Sequence, residues 1–307
     1  MKNFFKNIIL LLLIAVVVGE VVVRLTHAVA DIPQRTIDEH GIQKYFPNQE
    51  GYWKGGAHKW TVNNSGWVGE LPKSYDSLII IIGDSFIENF MNPNECHQSV
   101  LLKKKMTNYN FMEAARSGVS FIEAMEMSKQ LDTLNPIQTL IYLNDKDFYE
   151  SAYNIEPHSD ITQVDLKTNK INYGELKSPA LKKILYKWKL LYYFYNRFPL
   201  QQPKPNKMLK EEIDKELKAY ELKNREKVFQ LINYTKKNYT VTNKTLVFHP
   251  NSSKEIINRC KSIGFNVIAL DSSNDKTWTF EHDSHWTCYG HERTAQQVSD
   301  KLIAILK

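Results

Sequence analysis

The segment SLIIIIGDSFIE, residues 77–88, runs five apolar residues from Leu78 to Ile82 straight into Gly83, Asp84 and Ser85. No polar residue alternates with the apolar ones, so a strand here must be buried on both faces. Such strands belong to parallel sheets covered by helices on either side. The rest of the chain repeats the theme. Further strands are predicted near 108–112, at QTLIYLND (138–143), at KTLVFHP (244–249) and at FNVIALD (265–271). Helices are predicted between them at Cys96–Met106, Phe121–Leu131 and Lys254–Ser262. A last amphipathic helix places Ala295, Val298, Leu302 and Ile305 on one face. Strands alternating with helices make an α/β fold with a parallel sheet.

The rhythm breaks between about 151 and 243, which reads as an insertion. ITQVDLKTNKINY has the pattern of a hairpin turning at Thr168-Asn169. LKKILYKWKLLYYFY follows, with Leu181, Ile184, Leu185, Trp188, Leu191, Tyr192 and Tyr195 at helical spacing and lysines on the other faces. A helix of this kind packs its apolar stripe on the domain, binds a glycan or lies on a bilayer, and packing on the domain is the expectation. FPLQQPKPNK (198–207) is a proline-rich break, and 211–238 reads as a long charged helix. Residues 31–76 form a loop-rich lead-in, and 77–307 form the main domain. With 307 residues and 42% hydrophobic content, the chain can build one large core.

The N-terminus constrains location. Lys2 and Lys6 precede an apolar run from Ile8 to Val23, the order of a signal peptide or signal anchor. Ala28-Val29-Ala30 has the small residues of a cleavage site, but Glu20 and Arg24 lie between it and the run. Counted from Phe4 to Leu25, the segment reaches the length of a span, with Glu20 and Arg24 at the outer interface. The expectation is therefore an uncleaved single-pass anchor in segment 1–30, with the domain outside the cytoplasm (periplasm or cell surface). Cleavage after Ala30 would make the protein secreted. The net charge of +6 is spread through the sequence, which argues against a nucleic-acid partner. Cys96, Cys260 and Cys288 are an odd set with no close pairing, so no disulfide framework is expected.

Ser85 would stand at the carboxyl end of the first sheet strand, where open α/β sheets bind ligands. Backbone N–H groups at a helix start favour a developing anion there, which suits a nucleophile. Asp84 and Ser85 equally suit a helix cap. A serine nucleophile needs a base and the base an orienting acid. FEHDSHWTCYGH, residues 280–291, offers His285 as base and Asp283 as acid, in a loop before the last helix, with Trp286 placed to exclude water. His282, Asp283, His285, Cys288 and His291 match no strong zinc spacing, so neither metal nor cofactor is expected.

Taken in order, GDSF, the glycine of ARSGVS, the Asn-Asp of YLND and the Asp-x-His resemble the blocks of the SGNH (GDSL) hydrolase superfamily, over about 60–150 and 244–307. The resemblance implies a three-layer α/β/α fold and a serine esterase. It places the nucleophile on Ser85 and the base on His285. The oxyanion-hole donors fall on the backbone N–H groups of Ser85 and Gly118 and the side-chain amide of Asn144. There are two departures. Tyr142 stands where the third block usually has glycine. His282 stands where the acid usually lies, so Asp283 must serve. The anchor, VNNSGWVGE and DSHWT also resemble membrane-anchored bacterial proteins that modify polysaccharides. DSHWT is similar to a motif of alginate O-acetyltransferases, in which it precedes the serine block. The implied substrate is an O-acylated carbohydrate. The alternatives are an O-acetyltransferase acting on a polysaccharide and a non-catalytic envelope scaffold.

Overall fold

Every residue of the run from Leu78 to Gly83 is buried, and the run sits in the middle of the molecule's main sheet. The computed structural model describes residues 1–152, 155–198 and 210–306, with the backbone alone described for 210–223. The proline-rich break expected at 198–207 lies outside these residues except for Phe198. The chain begins with helix α1 (Lys2–Leu25), followed by hairpins β1 (Arg35–Ile37) with β2 (Gln43–Tyr45) and β3 (Glu50–Tyr52) with β4 (Lys59–Thr61). Next come β5 (Leu78–Gly83), the single turn α2 (Ser85–Glu88), α3 (Gln98–Lys105), β6 (Asn110–Ala115), α4 (Phe121–Leu131), β7 (Gln138–Leu143) and α5 (Asp145–Ala152). The insertion holds hairpin β8 (Gln163–Asp165) with β9 (Lys170–Asn172), then α6 (Pro179–Lys187), α7 (Lys189–Arg197) and α8 (Lys210–Asn238). The chain closes with β10 (Lys244–Phe248), α9 (Lys254–Ser262), β11 (Asn266–Ala269), hairpin β12 (Thr279–Phe280) with β13 (Asp283–Trp286), and α10 (Cys288–Ile305).

The main sheet has five parallel strands in the order β11-β10-β7-β5-β6. Its strands alternate their side chains between two helical layers, as a doubly covered sheet requires. Leu78, Ile80 and Ile82 point to one face, against Phe121, Ile122 and Met125 of α4, Leu231 of α8 and Ile256 of α9. Ile79 and Ile81 point to the other, against Leu101 and Leu102 of α3 and Val298 and Leu302 of α10. The fold is thus α/β with helices on both faces. The first strand of the sheet, β5, lies between the second and third, so the chain reverses direction across the sheet there. Crevices for ligands form at such switch points, beyond the strands' carboxyl ends.

Four expectations need correction. The strand expected at 108–112 runs from Asn110 to Ala115. Buried Glu113 does not end it, because His97 and the Ser99 N–H hold its carboxylate at 2.7 Å each. The aromatic–basic segment is two helices, bent at Trp188, and its stripe is not packed on the domain: Leu181 is 66% and Ile184 56% exposed. The stretch around His285 is a hairpin strand rather than a loop. Finally, Cys96 and Cys288 form a disulfide across a separation of 192 residues, while Cys260 is free and buried. Spacing in the sequence cannot reveal such a bridge, because only the fold brings α3 and α10 side by side.

The disulfide ties the segment after α2 to the first turn of α10. Closing so long a loop restricts the unfolded chain by roughly 5 kcal/mol in the chain-entropy limit, with 2–5 kcal/mol typical of native bridges. Denaturant unfolding of the oxidised and dithiothreitol-reduced protein should therefore differ by about 2–5 kcal/mol in favour of the oxidised form. Equal stabilities would show that the bridge constrains nothing.

Candidate active site

Ser85 is the first residue of α2, reached directly from the buried end of β5. Asp84 caps that turn, accepting a hydrogen bond from the Phe86 N–H at 3.0 Å. Gly83 is required by close packing. A Cβ there would lie 2.4 Å from Cγ1 of Ile87, so a side chain would push α2 off the strand. The cap role and the exposed hydroxyl coexist: Asp84 supplies the cap, and Ser85 is left half-buried at the mouth of a cavity.

His285 arrives from the other end of the chain. Its Nε2 lies 2.8 Å from Ser85 Oγ, and its Nδ1 bonds Asp283 Oδ1. The same carboxylate oxygen accepts the His285 backbone N–H at 2.9 Å. Strand geometry explains the spacing. Residues two apart on β13 share a face, so Asp283 and His285 point together, whereas a residue three before His285 would not. His282 accordingly projects to solvent. The hydrogen bond from the His285 backbone, then that from its ring, holds the Asp283 carboxyl below the usual carboxylate range. Asp283 therefore stays ionised near neutrality, and an ionised acceptor on Nδ1 leaves Nε2 of a neutral imidazole as the lone-pair nitrogen facing Ser85.

The hairpin is fixed from behind. Asn92 Nδ2 donates to the Trp286 carbonyl at 2.9 Å, and Cys288 is bonded to Cys96. Trp286 is buried against Phe86, His249 and His291, backing the Ser85–His285 pair with an aromatic wall. Tyr142, in the position of the resemblance's usual glycine, belongs to the same wall: its hydroxyl donates to Gln98 Oε1 at 3.2 Å and its ring packs on Trp286. His291 is buried beside Gln98, which donates to its carbonyl at 2.9 Å.

Gly118 and Asn144 line the same cavity as Ser85 and His285. Gly118 has φ +82°, a left-handed conformation in which a Cβ would be strained. Asn144 Oδ1 accepts the Lys146 N–H at 2.8 Å, so the amide's N–H₂ end is its remaining donor. Asp145, the other half of the Asn-Asp pair, accepts the Ser253 N–H and ties the loop after β10 to β7. Residues not singled out in the sequence hold the Gly118 loop. Glu88 accepts the Ser117 N–H at 2.9 Å and the Tyr45 hydroxyl. Arg116 pairs with Glu123 at 2.7 Å, both fully buried, and Arg35 donates to the Ser117 carbonyl at 3.2 Å. Glu88 and Arg116 lie within GDSFIE and ARSG, and a charge embedded in those apolar blocks is the signal that could have marked them.

Two chambers meet at Ser85 and His285. One, of about 910 Å³, has a polar rim that includes Lys146, Glu150, Asn251, Asn274, Asp275 and Lys276. The other, of about 700 Å³, mixes apolar groups such as Phe46, Phe90 and Met91 with charged ones such as Arg35, Asp160 and Glu175.

No family model matches the chain, and no curated protein matches it. Solved structures similar to it include TesA (TM-score 0.36, 11% identity, covering 74% of this chain and 99% of that one). A second is a protein described as lipolytic, of the G-D-S-L family, from Desulfitobacterium hafniense DCB-2 (TM-score 0.32, 12% identity, 73% and 98% covered). A third is the psychrotrophic esterase EstA from Pseudoalteromonas sp., inhibited by monoethylphosphonate (TM-score 0.36, 12% identity, 75% and 98% covered). A likeness at this level fixes no activity, and the functional reading rests on the chain's own geometry.

Asp84 supplies a test of the site's electrostatics. Burial pushes its carboxyl up to about 6. Burial also raises neighbouring Asp147, and the charge of Asp84 raises it further. Against an ordinary value of 3.8 for an aspartate, the folded protein binds the extra proton between about pH 4 and 6. Stability contributed by this group is therefore present at low pH and lost as pH rises through that window. Asp84→Asn keeps the capping oxygen and removes the titration. Unfolding measured from pH 4 to 7 should lose this downward component, giving the variant on the order of 2–3 kcal/mol relative to wild type at pH 7. A difference between the two that does not change with pH would contradict the assignment.

Proposed function

We propose that the protein is a serine esterase of the SGNH type that removes O-acyl groups, foremost O-acetyl, from an extracytoplasmic carbohydrate. The observation that carries this reading is the hydrogen-bonded chain Asp283–His285–Ser85, with Nε2 at 2.8 Å from Oγ. Ser85 Oγ attacks the ester carbonyl carbon while His285 Nε2 takes its proton. The carbonyl oxygen becomes an oxyanion that the N–H groups of Ser85 and Gly118 and the Asn144 amide would receive. Collapse breaks the bond to the sugar oxygen, which leaves as an alcohol with the proton from Nε2. Water, deprotonated by His285, then attacks the acyl-Ser85 carbonyl, and Ser85 recovers its proton as the acid departs. The same reach favours catalysis over the scaffold reading, which needs no such alignment.

The polar rim of the larger chamber supports a hydroxyl-rich substrate, since sugars are held by convergent hydrogen-bonding groups. Location outside the cytoplasm is supported by α1, which is long and apolar enough to cross a membrane, by Lys2 and Lys6 on its leading side, and by the disulfide. A second reading has its own observation. Two chambers meeting at one serine suit an acyl donor in one and an acceptor hydroxyl in the other, and hence an O-acetyltransferase.

Nitrophenol release from p-nitrophenyl acetate separates these readings. Steady turnover in water, abolished by Ser85→Ala and lowered about 10²–10³-fold in kcat by Asn144→Ala, is the expected outcome. A burst that turns over only when an oligosaccharide is added would favour transfer. Release unaffected by Ser85→Ala would overturn both.

A further inference from the structure

Two charged residues near the end of α1, Glu20 and Arg24, are spent on the insertion. Glu20 accepts the backbone N–H groups of Lys189 and Leu190, at 3.1 and 2.7 Å, the first two residues of α7. Arg24 donates to the carbonyl of Lys187, the last residue of α6, at 2.5 Å, and pairs with Glu20. An acid at one helix's N-terminus and a base at the other's C-terminus complement both dipoles. Lys189 also pairs with Asp31 at 2.6 Å, and Leu190 packs 3.1 Å from where a Cβ on Gly19 would lie. The bend at Trp188 is thus clamped to the outer end of α1.

What the clamp presents, among the described residues, is an exposed apolar surface. Trp188 is 56%, Phe194 49% and Phe198 67% exposed, in line with Leu181 and Ile184. The flanking cations are Lys182, Lys183, Lys187 and Arg197, and residues 178–198 contain no acid. Apolar and aromatic residues on one side with cations beside them are the composition of a helix lying in a membrane interface. The level agrees too. The contact falls at residues 19–24 of a helix ending at Leu25, within about 9 Å of its end at 1.5 Å per residue. Interfacial helices sit about 5–10 Å into the headgroup–acyl boundary.

We infer that α6 and α7 lie in the outer interface of the bilayer that α1 crosses, with their aromatic stripe in lipid and their lysines on anionic headgroups. The inference rests on α1 being a membrane span and is otherwise independent of the chemistry at Ser85. It also sets the domain's posture, because α6 contributes Pro179, Ala180, Lys182, Lys183 and Tyr186 to the rim of the second chamber that reaches Ser85. That chamber's wall would border the bilayer surface.

The test uses the full chain in vesicles of phosphatidylcholine and phosphatidylglycerol. The native thiols are bonded or buried, so single added cysteines can carry an environment-sensitive nitrobenzoxadiazole label. Labels at Ile184→Cys and Phe194→Cys should be blue-shifted and quenched by lipids brominated near the headgroup. A label at Leu12→Cys should be quenched by lipids brominated deep in the chain. A label at Ile303→Cys, exposed on α10, should be quenched by neither. Lys182→Glu with Lys183→Glu and Lys187→Glu should remove most of the shallow quenching when phosphatidylglycerol is present. Quenching at 184 and 194 no greater than at 303, with position 12 still quenched, would overturn the inference and leave the span standing. Loss at position 12 as well would overturn both. Blue-shifted but unquenched labels that cross-link between copies would assign the stripe to a second copy, and would equally overturn it.

Discussion

Two hundred residues of chain separate Ser85 from His285, and the site exists only because the bracket between the α2–α3 segment and the start of α10 brings them together. Three bonds make that bracket. Asn92 holds the Trp286 carbonyl, Gln98 holds His291, and Cys96 is bonded to Cys288. Each acts on the residues immediately around His285. The imidazole is therefore positioned by the sheet's own architecture, through α3 and α10 packed on the same face of β5. Trp286 and Phe86 fill the space behind it, which leaves little freedom for the base to swing away from the serine.

The polar network on the opposite side of Ser85 has the complementary task. Glu88, Arg116, Glu123 and Arg35 all reach the loop that carries Gly118, and three of the four are buried. Breaking a buried ion pair of this kind leaves an uncompensated charge, so the pairing holds the loop in one geometry, although Arg116 Nε and Glu123 Oε2 have no hydrogen-bond partner of their own. Tyr45 links this network to the lead-in, because its hydroxyl bonds Glu88 while its ring clusters with Trp60, Val62 and Val68. Residues 31–76 are thus part of the site's wall. The insertion closes the same side through α6, while its bend is held by α1. Helix α1, the insertion and the wall of the candidate site form one connected structure.

Much of this was legible in the sequence, for identifiable reasons. A strand buried on both faces has no polar alternation, so β5 and β7 were plain from composition alone. The order of the blocks brings Ser85, Gly118, Asn144, Asp283 and His285 into view, and the structure places Ser85, Gly118, Asn144 and His285 on one cavity with Asp283 bonded to His285. The pairing of Asp283 with His285 depends on an extended backbone in a stretch whose sequence suggests a loop. The disulfide and the Glu88–Tyr45 and Arg116–Glu123 pairs depend on contacts between distant segments, which no local pattern encodes. The aromatic stripe was visible, but its periodicity is the same whether it faces a core or a bilayer. Only its exposure and the clamp at Trp188 distinguish the two.

The central claim is that Ser85 is a nucleophile activated by His285. The most direct measurement is peptide mass spectrometry of the full chain after treatment with a fluorophosphonate. The account predicts a single phosphonyl adduct on Ser85 that disappears in His285→Ala. An unmodified Ser85, or an adduct formed equally without His285, would contradict it.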